Sequence, residues 1–326
     1  MGPAYGKQQR LMATALTDSE RGSMTYEGSS DGGLSKNERR EAARDKARVR
    51  REQQKKKDRR SRVLLQGSLA VVVLAIVAVV GIVIVNSVRP PSPGPANMLS
   101  DGVKIGVGFK AVPTAALQPN ATPIPSKANP ANVIDLQVYI DYQCRYCGDF
   151  EATNAKQIKT WVSTGAATLE IHPLAILDQS SLGKKYSTRA ANAAGCVANF
   201  SPNQFFDFSA LMFLDQPKEN TEGRTDDQII SLTKQAKVSR ADSIATCITD
   251  QDFKSWTNAA TARATADPLA GTNVKKLAGT PTVIINGQKY NGAIDNALDF
   301  ATAVSKAAGD SFSDNSSATP TPSPAP

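Results

Sequence analysis

Residues 133–147 read Val-Ile-Asp-Leu-Gln-Val-Tyr-Ile-Asp-Tyr-Gln-Cys-Arg-Tyr-Cys, and this stretch decides the fold. Its first eight residues, 133–140, form an apolar and β-branched run that predicts a strand. Two cysteines separated by two residues follow, Cys144 and Cys147, and a helical pattern then continues to Gly165. Two thiols at the junction of a strand and a helix N-terminus are typical of a reactive, reversible disulfide.

The position of Cys144 at a helix start predicts different roles for the two thiols. Unpaired backbone N–H groups at a helix N-terminus stabilise a thiolate and lower a cysteine pKa to roughly 3.5–7.5. We therefore expect Cys144 to be the exposed, attacking sulfur and Cys147, one turn further in, to be the resolving sulfur. Between them, Arg145 adds a cation that favours the reduced form, whereas Tyr146 adds no charge. Both are candidate tuning residues.

Two other interpretations of the motif remain open, a static disulfide and half of a zinc site. A zinc site needs a second pair of ligands. His172 is the only histidine, and the remaining cysteines, Cys196 and Cys247, are not closely paired in sequence. The spacing therefore favours redox chemistry carried by the dithiol itself, and we expect neither a metal nor a cofactor.

The charge of the chain is confined to its N-terminal segment. Residues 1–62 hold 17 Lys/Arg and 9 Asp/Glu, whereas the rest of the chain holds 21 of each. A basic tail attached to an electrically neutral remainder argues against nucleic-acid binding by the folded part. Residues 1–62 are expected to be cytoplasmic and largely disordered, with a charged helix or a topology signal near the membrane.

Residues 63–88 are 26 uncharged, mainly apolar residues, enough to cross a bilayer as a single transmembrane helix. Lys and Arg crowd the preceding segment, while Arg89 is alone on the other side for 15 residues. The positive-inside rule then places the N-terminus in the cytoplasm and all four cysteines outside, where disulfides persist. The sequence thus predicts a single-pass protein of the cell membrane with an extracytoplasmic domain.

Composition divides the extracytoplasmic part into three segments. Residues 89–130 are proline-rich and predict a tether, with a short strand or hairpin near 101–109. Residues 131–307 are long enough to bury their own core. Residues 308–326 are rich in Ser, Thr and Pro and predict a disordered tail.

Within the domain, the pattern predicts a βαβ unit, a helical block and a closing ββα unit. The second strand is expected at 167–172, and Asn286-Gly287 predicts a hairpin within 281–290. A closing helix is expected over 295–307 with Asp295 as its N-cap. The helical block is expected to contain five segments, at about 181–200, 202–214, 225–236, 240–249 and 252–266.

Two motifs in this order resemble those of the DsbA-like thiol–disulfide oxidoreductases, including actinobacterial, membrane-anchored members. The segment from Asp141 to Cys147, with Phe150 and Glu151 after it, resembles the active-site segment of that family. The segment from Gly279 to Gly287 resembles its second signature. The resemblance implies an α/β, thioredoxin-like fold with a helical domain inserted at about 178–270.

The resemblance also implies roles for two residues outside the cysteine motif. It implies a cis Thr280–Pro281 bond facing the active-site disulfide, and a Thr280 backbone that pairs with an extended substrate segment. An edge strand that begins at Pro281 is the alternative for this proline. The family often carries Pro-His between its cysteines, where this chain has Arg145-Tyr146.

The remaining residues with candidate roles are two cysteines, two carboxylates and the one histidine. The even number of cysteines outside the membrane suggests that Cys196 and Cys247 form a structural disulfide, as in similar actinobacterial members, rather than a second redox relay. Asp141 and Glu170 are candidate proton shuttles by strand position alone, and we favour a solvated or capping role for each. For His172 the sequence indicates no partner.

These features together predict a membrane-anchored, extracytoplasmic thiol–disulfide oxidoreductase that introduces disulfides into exported proteins with reduced cysteines. By resemblance, a quinone-linked membrane oxidase of the vitamin K epoxide reductase type is the expected reoxidant. The alternatives are a reductase or isomerase of the same fold, a non-enzymatic peptide-holding envelope chaperone, and a sensor that signals through residues 1–62.

Overall fold

The computed structural model describes part of the chain in each of two units, Met1–Asn86 and Ser87–Pro326. The described residues are 40–41, 44–57, 59, 71, 73–77 and 92–317. In the first unit, residues 44–57 are helical. Most of the predicted membrane span, 63–88, lies outside the described residues. Within the described ranges, no helix combines the length and the apolar character needed to cross a membrane.

The second unit alternates strands and helices in the predicted order, and the short hairpin expected near 101–109 precedes them. The strands are β1 Val103–Gly106, β2 Lys110–Ala111, β3 Ile134–Ile140, β4 Ala167–Pro173, β5 Thr282–Ile285 and β6 Gln288–Lys289. The helices are α1 Arg145–Thr164, α2 Tyr186–Phe200, α3 Phe205–Phe213, α4 Asp226–Gln235, α5 Ala241–Asp250, α6 Lys254–Ala266 and α7 Ala297–Ser317. Helices α2 to α6 lie between β4 and β5 in the chain, which confirms the predicted helical insertion.

The strands form one sheet in the order β2-β1-β4-β3-β5-β6. Strand β3 lies near its centre, parallel to β4 and antiparallel to β5. Val138 of β3 is opposite Ile171 on one side and Val283 on the other. A parallel pair needs a crossover connection, and α1 supplies it. The dithiol motif follows directly after this central strand.

One face of the sheet packs against α1 and forms the main core. Alternate β3 residues, Leu136, Val138 and Ile140, point to this face, and Phe150 and Ile158 of α1 are buried with them. Removing one such large apolar side chain from water contributes about 1.5–3 kcal/mol. This packing fixes the start of α1, and with it the two thiols, relative to the central strand.

The opposite face of the sheet buries polar side chains beside a second, smaller apolar cluster that includes Ile284 of β5. Gln137, Tyr139, Glu170 and His172 lie on this face, since they alternate with the core residues along β3 and β4. The rings of Tyr139 and His172 stack with their centroids 4.1 Å apart. Buried polar side chains of this kind need hydrogen-bond partners, and the segment before β3 supplies several of them.

The segment at 89–130, predicted to be a tether, belongs to the folded domain from Gly94 onward. The Gly94 N–H donates to Leu117 O at 2.8 Å, and Met98 is fully buried. Strand β1 lies within the predicted 101–109 stretch and pairs with β4. The proline-rich composition suggested an extended, solvated segment, but Met98 and β1 bury apolar side chains against the domain. The domain boundary predicted at 131 is therefore too late.

The ends of two helices follow from particular residues. Gly165 ends α1 with φ 79°, a left-handed conformation that glycine adopts without strain. At α7 the side chain of Asn296, not Asp295, accepts from the N–H groups of Leu298 and Asp299. Helix α7 also runs to Ser317, ten residues beyond the predicted end. Residues 318–326 lie outside the described part of the chain.

The helical insertion contains the predicted disulfide. Cys196 of α2 and Cys247 of α5 are bonded to each other, and both are buried. Fifty-one residues separate them in the sequence, so the bond joins two helices that are distant along the chain. The two cysteines are thus bonded to each other, as the sequence predicted.

Candidate active site

Strand β3 delivers the dithiol through a short turn into α1. The Cys144 N–H donates to Asp141 O at 3.0 Å and closes the turn. Cys144 is then the N-cap of α1, with the extended backbone that this position requires. Cys147 lies in the first turn of the helix, where its N–H donates to Cys144 O at 3.1 Å.

Asp141 anchors this turn and does not face the thiols as a proton shuttle. Its Oδ1 accepts from the Gln143 N–H at 2.9 Å and from Ser187 Oγ at 2.8 Å. Its Oδ2 accepts from the N–H groups of Ile176 and Leu177 at 2.8 and 2.9 Å. Burial raises the pKa of this fully buried carboxyl, and the four hydrogen bonds oppose that shift. The role is therefore the capping one favoured for Asp141 from the sequence.

The two thiols have opposite acid–base properties. The hydrogen bond with Cys147 is the main cause that lowers the pKa of Cys144 to about 6, and the N–H groups of Tyr146 and Cys147 add to it, against burial. Burial raises the pKa of the Cys147 thiol well above its usual value. At neutral pH, Cys144 is therefore the thiolate and nucleophile, and Cys147 keeps its proton.

Cys144 is less exposed than the sequence predicted. Only 4 % of the residue is accessible, compared with 1 % for Cys147. The carbonyl oxygen of Thr280 lies 3.2 Å from Cys144 Sγ and covers it from the side of the sheet.

The segment that covers Cys144 is the second predicted motif. The Thr280–Pro281 peptide bond is cis, as the resemblance implied, and β5 begins at the next residue, Thr282. Both Thr280 and Pro281 are half-buried. The fold thus brings together two motifs that lie 136 residues apart in sequence, with the backbone of one against the sulfur of the other.

Residues 129–304, which contain both motifs, match the sequence profile of the family Thioredoxin_4, described as thioredoxin. The matched region is more than half of the chain. The chain belongs to the thioredoxin family. Its βαβ and ββα units, with a dithiol at the start of α1 and a cis proline opposite, are the parts of the fold that carry the site.

This thioredoxin-family chain is similar to part of the serine/threonine-protein kinase PknE of Mycobacterium tuberculosis and Mycobacterium bovis. The two are 33% identical over 156 residues, which cover 45% of this chain and 26% of the kinase. The chain therefore matches about a quarter of the length of these curated relatives.

Solved structures from Mycobacterium tuberculosis are also similar to the chain. A reduced disulfide bond oxidoreductase, DsbG, is 26% identical, with a TM-score of 0.48 and coverage of 68% of this chain and 95% of that one. Oxidised DsbA is 26% identical as well, with a TM-score of 0.48 and coverage of 67% of this chain and all of that one.

The dipeptide between the thiols lies on the surface. Arg145 and Tyr146 are both exposed, and the Arg145 guanidinium lies 5.0 Å from the centroid of the Tyr146 ring. The guanidinium thus lies over the Tyr146 ring on the exposed side of the motif. The tuning role expected for Arg145 and Tyr146 stays a prediction.

Glu151 is a site residue to which the sequence interpretation assigned no role of its own. It lines a cavity of about 20 Å³ together with Cys147, Phe150 and Ser209. Burial raises the pKa of Glu151 to about 7. The signal was present in the spacing, since Glu151 follows Cys147 by four residues and so lies on the same face of α1. A carboxyl that titrates near neutral pH thus shares a cavity with the resolving thiol.

Gln216 and Glu219 also contact the motif, from the loop between α3 and α4. Gln216 Nε2 donates to Tyr142 O and to Cys144 O, each at 2.9 Å. Glu219 Oε1 accepts from the Arg145 N–H at 3.1 Å. These contacts join residues more than 70 positions apart, and no local pattern in the sequence indicates them.

Glu170 and His172 lie on the polar face of the sheet, away from the thiols. Glu170 Oε1 accepts from Ser100 Oγ and, at 2.9 Å, from Ser126 Oγ, which excludes the proton-shuttle role. His172 lines a cavity of about 590 Å³ on that face, and burial lowers the pKa of its imidazole. Among the described residues, no group of three or more His, Cys, Asp or Glu side chains is arranged to hold a metal ion.

Proposed function

We propose that this chain is a thiol–disulfide oxidoreductase that donates its Cys144–Cys147 disulfide to the dithiols of other proteins. One observation carries the proposal. Cys144 is a low-pKa thiol at the start of α1, paired with a protonated Cys147 and placed against Thr280 O beside the cis Pro281. Thiolate character and partial access are the properties that make a cysteine reactive in exchange.

The oxidised pair would react in two exchange steps. A substrate thiolate attacks Cys144 Sγ, the Cys144–Cys147 bond breaks, and Cys147 leaves with the electron pair and takes a proton. A second substrate thiolate then attacks the substrate sulfur of the mixed disulfide and releases Cys144 as a thiolate. The substrate loses two electrons and gains a disulfide, while the enzyme gains the two electrons and becomes the dithiol.

The acid–base properties of the pair favour donation rather than reduction. A leaving thiolate of low pKa departs faster, and a stabilised thiolate makes the reduced enzyme the preferred state. Cys144 supplies both effects. Glu151 is placed to exchange a proton with Cys147 when that sulfur enters or leaves the disulfide.

We assign substrate binding to the Thr280–Pro281 segment. Its backbone is half-buried beside Cys144 and runs directly into β5. An extended substrate segment that pairs with the backbone of Thr280 would place its own cysteine next to Cys144 Sγ, in the manner of strand addition to a sheet edge.

The cellular setting that we propose follows from the sequence. Residues 63–88 would anchor the chain as a single-pass protein, with residues 1–62 in the cytoplasm and the dithiol domain outside. The substrates would be exported proteins with reduced cysteines, and a quinone-linked oxidase in the same membrane would restore the disulfide. The Cys196–Cys247 disulfide supports an oxidising compartment.

Disulfide transfer to a reduced, unfolded model protein tests the proposal. The oxidised full-length chain should convert the substrate dithiols to disulfides with stoichiometric loss of its own, and Cys144→Ser should abolish transfer. Cys147→Ala, first converted to a mixed disulfide of Cys144 with glutathione, should exchange with a substrate that keeps a single reduced cysteine, release glutathione and accumulate a Cys144–substrate mixed disulfide, visible on non-reducing gels. A peptide-holding chaperone is the competing function. It predicts no transfer by the wild type and equal suppression of substrate aggregation by wild type and Cys144→Ser.

A further inference from the structure

The loop that connects α3 to α4 lies against the dithiol motif, and we call residues 214–223 the covering loop. Its Gln216 side chain bridges the carbonyls of Tyr142 and Cys144, one on each side of Gln143. Gly148 leaves the room for this, because a Cβ at that position would lie 2.3 Å from Gln216 Oε1. The covering loop is therefore packed directly on the start of α1.

Further hydrogen bonds hold the covering loop in this place. Gln143 Nε2 donates to Thr221 O at 3.4 Å and to Ser180 O at 2.9 Å. At the other side, the Arg224 guanidinium donates to the carbonyls of Leu214 and Asp215. The loop thus has fixed contacts at both ends, and Glu219 lies between them.

The Glu219 carboxylate accepts a hydrogen bond from the first N–H of the active-site helix. Oε1 accepts from Arg145 N at 3.1 Å, and Arg145 is the first residue of α1. The N–H groups of the next two residues, Tyr146 and Cys147, help to lower the pKa of Cys144, and the Cys147 N–H donates to Cys144 O at 3.1 Å. One helix N-terminus, with its partial positive charge, therefore serves two anions, a carboxylate and a thiolate.

We infer that Glu219 is a positioning residue that limits the oxidising strength of the dithiol, because its negative charge shares the α1 N-terminus with the Cys144 thiolate. The importance of this limit for disulfide donation rests on the proposed function, whereas the effect of the Glu219 charge on the Cys144 thiolate does not. Two like charges at one helix end raise each other's free energy. The reduced, thiolate form of the enzyme is thereby less favoured than it would be without Glu219.

The other charged side chains near the motif have opposite effects on the Cys144 thiolate, since a cation stabilises it and a carboxylate destabilises it. Arg145, the residue after Cys144, is an exposed cation, and Lys218 of the covering loop is another. Asp149 is an exposed carboxylate in the first turns of α1. Among them, Glu219 is the one whose carboxylate is hydrogen-bonded to the helix N-terminus itself, so its charge is held in place rather than free to move into solvent.

The test compares Glu219→Gln with Glu222→Gln in the full-length chain. The first substitution keeps a hydrogen-bond acceptor for Arg145 N and removes the charge. The second removes the same charge from an exposed residue in the same loop. The readouts are the thiolate absorbance at 240 nm against pH in the reduced protein, and the equilibrium between reduced and oxidised protein in glutathione buffers.

Glu219→Gln should lower the midpoint of the Cys144 titration by about 0.5 pH unit, and shift the equilibrium about threefold toward the reduced protein. Glu222→Gln should leave both at the wild-type values. An unchanged or raised midpoint in Glu219→Gln, or an equal shift in Glu222→Gln, would overturn the inference. If the wild type transfers no disulfide, the proposed function fails, while the 240 nm titration still decides the role of Glu219.

Discussion

At the scale of single residues, Cys144 and Cys147 differ because one caps a helix and the other lies inside it. Hydrogen bonds from the Cys147 thiol and from the N–H groups of Tyr146 and Cys147 hold the pKa of Cys144 near 6. Cys147 is buried against the core, which raises its pKa. Four residues of sequence thus provide both a nucleophile that is ionised at neutral pH and a resolving thiol that is not.

Glu151 gives a stability prediction with a defined pH dependence. Burial raises its pKa from 4.5 to about 7, so the folded protein binds this proton more tightly than the unfolded chain. Ionising Glu151 then costs stability, beginning as the pH rises above about 4.5 and complete above about 7. Glu151→Gln carries no such cost. Between pH 4 and pH 8, its free energy of unfolding should therefore rise relative to that of the wild type by on the order of 2 kcal/mol.

Urea unfolding at pH 4 and pH 8 measures this effect. The disulfide form is used so that neither Cys144 nor Cys147 titrates, and Asp149→Asn, an exposed carboxylate on the same helix, is the matched control. An equal stability difference between Glu151→Gln and wild type at both pH values would show that the Glu151 carboxyl is not held in a buried environment.

Which site residues the sequence could reveal depended on how local their contacts are. Cys144 and Cys147 were predicted because their chemistry follows from their spacing and from the strand and helix around them. Pro281 depended on a second motif in the right order. Gln216 and Glu219 could not be predicted, because their contacts with the motif depend on the path of the whole helical insertion. The spacing of Glu151 from Cys147 was visible in the sequence. That the two side chains line one cavity became clear only from the structure.

At the scale of helices and strands, the Cys196–Cys247 disulfide joins α2 to α5 within the helical insertion. Closing a loop of 51 residues restricts the unfolded chain and is worth about 4 kcal/mol in the loop-entropy picture. Replacing both cysteines by serine should therefore lower the free energy of unfolding by up to about 4 kcal/mol, measured by urea unfolding under oxidising conditions.

The same double variant separates a structural disulfide from a redox relay. With a purely structural bond, the folded double variant should titrate Cys144 as the wild type does and should transfer its Cys144–Cys147 disulfide at an unchanged rate. Loss of transfer in a variant that is still folded would instead indicate that Cys196 and Cys247 take part in electron exchange.

The helices and strands of the domain were largely predictable, whereas the domain boundaries were not. Strand β3 has an apolar run, β5 and β6 flank Asn286-Gly287, and the helices have clear periodicity, so each follows from local pattern. The proline density of residues 94–130 predicted a tether with only a short strand or hairpin near 101–109, whereas Met98 is also buried and β1 pairs with β4. Such pairing between distant segments is a tertiary effect that composition does not show.

At the scale of the whole domain, the central sheet separates two environments. One face packs against α1 and supports the dithiol, while the other buries Tyr139, Glu170 and His172 under the segment that precedes β3. The insertion α2–α6 returns to the first face through the covering loop, where Gln216 and Glu219 contact the motif. The redox site therefore depends on three parts of the chain that are distant in sequence: the β3–α1 junction, the covering loop and the Thr280–Pro281 segment.

The equilibrium constant of the Cys144–Cys147 pair with glutathione is the measurement that tests the central claim most directly. A stabilised Cys144 thiolate favours the reduced protein, so we expect a potential nearer to about −120 mV, the range of strong disulfide donors, than to about −270 mV, the range of reductases. A value near about −270 mV would contradict disulfide donation and would indicate that the chain reduces or isomerises the disulfides of its substrates.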